Sequence, residues 1–236
     1  MVLPTKHLAI VLMLLFISTA CAKEILTPSK NIITRTEITG DFDSVSLDGT
    51  MNVVCTAGEK PTVEIKGPDN VVPLVVCSIK GGKLALTYED GVKFKKNPGV
   101  TVYVTAPALN GYTITGVGDI SSSGLAADDL NITITGVGNV KADGIKADNA
   151  DLSVTGVGNI SIDGSAKSAK MSVSGVGDIN AYEFSAANVT ASVSGVGNIN
   201  CRAEETLKAS APGVGGINYK SSPRVSGNKN KVHHAN

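Results

Sequence analysis

Tyr112-Thr-Ile-Thr-Gly-Val-Gly-Asp-Ile120, Ile132-Thr-Ile-Thr-Gly-Val-Gly-Asn-Val140 and Leu152-Ser-Val-Thr-Gly-Val-Gly-Asn-Ile160 are successive copies of one pattern. The Gly-Val-Gly turn begins at Gly116, Gly136, Gly156, Gly175, Gly195 and Gly213, giving spacings of 20, 20, 19, 20 and 18 residues. A fixed period in the range of roughly 20 to 50 residues signals stacked repeats. Two residues before the first glycine of the first five turns stand Ile114, Ile134, Val154, Val173 and Val193; four residues after it, in all six, come Ile120, Val140, Ile160, Ile179, Ile199 and Ile217. Branched apolar residues in one column suit a β-solenoid, whose coils stack like on like about 4.8 Å apart. The middle of every turn is also Val, and that column is expected inside with the others. The two glycines read as corners, where a Cβ would be penalised.

After the second glycine comes a column of Asp119, Asn139, Asn159, Asp178, Asn198 and Gly216. Asn and Asp tolerate left-handed backbone and hydrogen-bond nearby main chain, so a corner ladder is expected. Calcium-binding toxin solenoids differ, repeating every nine or so residues with an Asp in each turn. Asp119 and Asp178 lie three coils apart, roughly 14 Å, and cannot share a cation.

From Phe42 to about Thr105 runs such as Thr62-Val-Glu-Ile-Lys66 and Val100-Thr-Val-Tyr-Val-Thr105 alternate with period two between Gly, Pro, Asn and Asp breaks. That is the strand signature, and no stretch holds a helical period for three turns. The expected fold is all-β: a right-handed parallel β-helix of about 20-residue coils with three short faces, preceded by a less regular strand-rich part. The divisions are 1–22 as an export signal, 23–40 as a tether, 41–108 as the N-terminal β-rich part, 109–221 as the β-helix, and 222–236 as a C-terminal cap and polar tail.

The export signal rests on Lys6 and His7, an apolar run from Leu8 to Ile17, and small residues at Ser18-Thr-Ala-Cys-Ala22. Two processing routes stand open. Ala20-Cys21-Ala22 fits an A-x-A site. Thr19-Ala20-Cys21 resembles the end of a lipobox, with Ser18 where Leu is usual, and would leave Cys21 lipidated. Either places the protein in the cell envelope, as an outer-membrane-anchored lipoprotein or a periplasmic protein. Cys55, Cys77 and Cys201 remain, an odd count that leaves at least one thiol free or paired between molecules. A Cys55–Cys77 disulfide is open.

The 236 residues carry 21 basic and 21 acidic side chains, and aromatics make up 4% with no Trp. Such a chain has neither the electrostatic footprint for nucleic acid or an anionic membrane surface nor the aromatic platforms that stack bases or sugar rings. The histidines are His7, His233 and His234, none within the repeats, and the arginines are Arg35, Arg202 and Arg224. No histidine is placed to act as base or metal ligand there. Asp143 and Asp163 occupy equivalent positions in adjacent coils, and two close carboxylates can serve acid/base work. The plainer reading is a pair of solvated aspartates at the turns of Gly144 and Gly164. Cys201 stands in the column of Ser122, Ala142, Ile162 and Ala181, which looks inward and marks it as filler.

The Gly-Val-Gly-Asn-Ile/Val turns, the literal Gly195-Val-Gly-Asn-Ile-Asn200 and Gly215-Gly-Ile-Asn218 resemble the bacterial "putative auto-transporter adhesin, head GIN domain" family. Phe42-Asp-Ser-Val45, Gly58-Glu-Lys-Pro61 and Gly81-Gly-Lys-Leu-Ala-Leu86 extend the resemblance over about 42–232. It implies a β-rich N-terminal part, a right-handed parallel β-helix and often a lipoprotein signal, and carries no catalytic residues. The expected function is a non-catalytic adhesin-like or ligand-binding envelope protein, without cofactor or metal. Its partners would be an envelope, glycan or protein ligand, with no nucleic acid, the membrane reached only through a lipid anchor, and self-association open. The alternatives are a polysaccharide-active solenoid enzyme using Asp143 and Asp163, and a self-assembling structural envelope protein.

Overall fold

The computed structural model describes residues 25–37, 40–124, 126–228 and 230–235. The export signal and Cys21 lie outside them. Apart from a 3-10 turn at Val72–Leu74, the described elements are strands, and the C-terminal part is a parallel β-solenoid as the repeat predicts. Val140–Val154, Ile160–Val173, Ile179–Val193 and Ile199–Ser210 each begin just past one Gly-Val-Gly corner and end just before the next. Each bends through the faces of one coil and pairs in parallel with the next.

The core consists of side-chain columns that follow this pairing. Ile114, Ile134, Val154, Val173 and Val193 are buried, as are Ile120, Val140, Ile160, Ile179, Ile199 and Ile217. Tyr112 is fully buried, and its phenol needs a polar partner there. Ser122 supplies it, Oη to Oγ at 2.6 Å across the coil.

Both corner glycines are dictated by stacking. A Cβ on Gly136 or Gly156 would lie 2.2 Å from a carbonyl oxygen of the preceding coil. Gly138 and Gly158 adopt φ of +155°, and a Cβ there would come within 1.8 and 1.7 Å of such an oxygen. No other residue fits.

The valine column departs from expectation. Val117, Val137, Val157, Val176, Val196 and Val214 form one bridge each with their neighbours, yet they point outward and are 47–68% exposed. The reason lies in the glycines: with both turned toward the adjoining backbone, the residue between them must face solvent.

The N-terminal strands join the same stack. Ser44–Leu47 pairs in parallel with Gly111–Ile114, and Asn52–Ala57 with Ile120–Ser123, so residues 44–57 make a coil without a Gly-Val-Gly signature. On its other side lie Lys83–Tyr88 and Thr101–Ala106, also parallel. Thr62–Pro68 and Val75–Lys80 add antiparallel strands at that end. Within the segment read as a tether, Ile32–Glu37 pairs antiparallel with Thr62–Pro68. Arg35 fastens it, donating to the Val72 and Val75 carbonyls at 2.8 and 2.6 Å. At the far end Arg224–Gly227 and Val232–His234, in the segment read as cap and tail, pair parallel to the strands before them.

Candidate functional site

The Asn/Asp column is a continuous hydrogen-bonded ladder. Asn139 donates both its backbone N–H and its side-chain amide to Asp119 Oδ1, at 2.8 and 2.9 Å. Asn159 repeats this on Asn139 at 3.1 and 3.0 Å, and Asn198 on Asp178 at 2.6 and 3.2 Å. Asn52 extends the ladder into the N-terminal coil, accepting from the Asp119 N–H at 3.1 Å. The oxygens that could face a ligand are turned along the coil axis to the next N–H. Among the described residues no three His, Cys, Asp or Glu side chains converge in a metal-binding arrangement.

Asp143 and Asp163 flank an irregularity. Ala142 pairs with Ile162, but the register then shifts so that Ile145 faces Gly164. Asp143 forms an ion pair with Lys141, while Asp163 Oδ1 accepts the Gly144 backbone N–H. The exposed Lys141 ammonium is held above its usual pKa, first by its hydrogen bond to Asp143 and then by that carboxylate's charge. The two aspartates border a shallow hollow of about 380 Å³ that also takes in Ser161, Asn180, Tyr182 and Glu183. Lys220 Nζ sits 4.8 Å over the Tyr182 ring and 3.2 Å from Glu183. Tyr182 carries no repeat signal, since its column holds other residue types in other coils.

A more regular groove runs along another corner, with a volume of about 390 Å³. Leu130, Ala150 and Ala169 lie between its two walls and are themselves buried. Asp129, Asn149, Ser168 and Asn188 form one wall; Asn131, Asp151, Lys170 and Thr190 form the other. Rungs within the walls are already bonded, Asn149 to Asp129 at 2.8 Å and Lys170 to Asp151 at 3.0 Å. Fixed side chains lose less conformational entropy when a ligand arrives. These columns lie outside the Gly-Val-Gly pattern; their signal in the sequence is a recurrence of Asn, Asp, Ser and Thr on either side of a small or apolar residue.

A wider hollow, about 720 Å³, lies between residues 89–98 and the N-terminal coil. Tyr88 and Phe94 meet edge to face at 4.7 Å along it, and Tyr88 donates to the Thr50 carbonyl at 2.9 Å. Asp48, Glu89, Asp90, Lys93 and Lys96 make the rest of its wall charged.

The three described cysteines are free, and Cys201 is fully buried in its inward column. Cys55 and Cys77 do not pair: Cys55 sits opposite Val104 and Ser122, whereas Cys77 sits opposite Leu86 on an outlying strand. Burial pushes the Cys55 and Cys201 thiols up to about 12 and Cys77 up to about 11. Thiols so shifted stay protonated near neutrality and are poor nucleophiles.

Stacked coils, surface grooves walled by short polar side chains and inert thiols define a β-solenoid whose chemistry lies on its outer faces. The chain belongs to the family described as "Putative auto-transporter adhesin, head GIN domain", which matches residues 41–223. A "putative adhesin" of Bacteroides fragilis has a solved structure 32% identical in sequence, covering 89% of this chain and all of its own, with a TM-score of 0.82. A "putative adhesin" of Parabacteroides distasonis is 21% identical over 90% of this chain and all of its own, TM-score 0.68. Another protein of that species, a "putative lipid binding protein", is 18% identical over 90% of this chain and all of its own, TM-score 0.66. The last two share the fold. No curated protein matches the sequence.

Proposed function

We propose that this is a non-catalytic, adhesin-like protein of the bacterial cell envelope that holds a glycan chain in the groove walled by Asn149, Asn188, Asp151 and Thr190. The observation that carries this reading is the groove itself: two rows of mostly short polar side chains that repeat with the coils. A polymer that presents hydroxyls at regular intervals matches that pattern. Family membership supports the adhesin-like role. The residues that begin the chain favour export, with Cys21 as a lipid anchor. Incorporation of a palmitate analogue, abolished in Cys21→Ala, tests the anchor separately.

The test of the groove is titration against soluble envelope and host-surface glycans. Asn149→Ala combined with Asn188→Ala should weaken binding at least tenfold while leaving thermal unfolding nearly unchanged. Undiminished binding by the double variant, or no binding by the parent protein to any glycan, overturns the proposal.

The enzymatic alternative at Asp143 and Asp163 has less support, because one carboxylate is held by Lys141 and the other by a backbone N–H. New reducing ends released from a polysaccharide panel, and lost in Asp143→Asn, would revive it. A lipid ligand, as the name of the Parabacteroides distasonis neighbour suggests, would need an apolar cavity, and the hollow beside Tyr88 and Phe94 is walled largely by charge.

A further inference from the structure

The six outward valines form a straight apolar stripe along one narrow face. Val117 to Val196 are each about half exposed, and Val214 is 68% exposed. Thr115, Thr135, Thr155, Ser174 and Ser194 line one side, and the Asn/Asp ladder lines the other. None of these three rows contains Lys or Arg. The turn does not require an apolar residue in the middle row. Thr50 fills the same place in the N-terminal coil and pairs with Val117 in the same bridge ladder. A threonine would suit the fold, yet the next six coils all expose a valine.

The stripe is about 24 Å long at the strand spacing. Six exposed valines in one row make a contiguous apolar patch on the scale, a few hundred Å², at which a surface on a soluble monomer signals a partner. Two such faces laid together with their flanking rows would bury about 1,000 Å² in total, the lower bound of a specific interface. A surface that steps by about 4.8 Å over six rungs is matched in period by a second copy of itself.

We propose that this face joins two copies of the chain, antiparallel, about a twofold axis between Val157 and Val176. That pairing sets Val157 against Val176 of the other copy, Val137 against Val196 and Val117 against Val214. Asp119 then meets Gly216 and Asp178 meets Asn159, so no carboxylate opposes another. The interface is isologous and closes at two. It lies at a different corner from the polar groove, so its success or failure is independent of the glycan proposal.

Sedimentation of the purified protein across the micromolar range tests this. The parent protein should move from monomer toward dimer, while Val157→Asp should raise the dissociation constant at least tenfold. Val157→Thr, patterned on Thr50, should weaken pairing by less and keeps the test valid should the aspartate perturb folding. Mild oxidation should cross-link the Val117→Cys/Val214→Cys double variant between chains and leave Val117→Cys alone uncross-linked. A parent protein that stays monomeric, a dimer unaffected by either Val157 substitution, or cross-linking of Val117→Cys alone would each overturn the proposal.

Discussion

Two kinds of coil share this stack, and their corners differ. From Gly116 onward each corner reads Gly-Val-Gly; in the coil of residues 44–57 the corresponding residues are Gly49-Thr-Met51. The Cβ of the third corner residue points toward the coil before it. For Gly118 that neighbour is the Met51 carbonyl, 1.8 Å from a built Cβ; for Gly138 it is the Gly118 carbonyl, also 1.8 Å. Met51 faces no such corner, because the coil on its other side connects Lys83–Tyr88 to Thr101–Ala106 through the long segment 89–100. At the third corner position glycine is therefore a requirement of the neighbouring coil, not of the turn itself.

That comparison makes its sharpest prediction at Gly158. Gly158→Ala would force a Cβ against the Gly138 carbonyl at a φ that L-residues rarely adopt, in the middle of the stack. We expect a loss of more than about 3 kcal/mol of stability, or failure to fold, in chemical denaturation. Met51→Leu, which keeps a buried apolar side chain at the same corner position, should cost less than about 1.5 kcal/mol and leave the fold intact. An alanine at Gly158 tolerated as well as that would break the rule.

Alkaline titration compares the two regions next. Cys55 lies in the N-terminal coil and Cys201 in a Gly-Val-Gly coil, and both are buried. Burial raises each thiol from 9.0 to about 12. Below pH 9 folded and unfolded thiols are both protonated and the stability is fully present. Between 9 and 12 the unfolded chain loses its protons first, so stability falls as pH rises, by up to about 1.4 kcal/mol per pH unit for each thiol. Burial also raises the Tyr112 phenol, which adds to the fall above pH 10. Denaturant midpoints from pH 8 to 11 should decline, and Cys55→Ala and Cys201→Ala should each flatten the decline by a similar amount. A flattening by one alone would show that the two ends of the column are not equally dry.

The same contrast explains what was legible in the sequence. The solenoid was readable because each coil repeats the residues its neighbour demands, glycines above all. The coil of 44–57 escaped notice because its free side lifts that demand, and the strand at Ile32–Glu37 because its Thr and Arg read as polar tether. The valines were misplaced since an apolar column suggests a core, whereas paired glycines reverse the direction of the residue between them. The Asn/Asp ladder was visible because the same residue types recur after the second glycine of nearly every turn. The polar groove was not, because it forms from columns whose residue types vary between coils and are joined only by the register of the strands.

The smallest expected effect compares the ladder at its middle and its end. Asn159 gives two hydrogen bonds to Asn139, and its Oδ1 accepts the Asp178 N–H at 2.9 Å. Asn159→Ala removes the side-chain donor and the acceptor, leaving an N–H to be satisfied by solvent, and should cost about 1 kcal/mol. Asn52 makes one such contact, accepting from Asp119 at 3.1 Å, and Asn52→Ala should cost about half as much. Both sites are exposed, so water replaces part of what is lost and keeps either value small. A loss at Asn159 about twice that at Asn52 would mean that each bond acts alone. A loss at Asn159 more than threefold that at Asn52 would mean that the aligned amides polarise one another along the ladder, a cooperativity that a terminal rung cannot share.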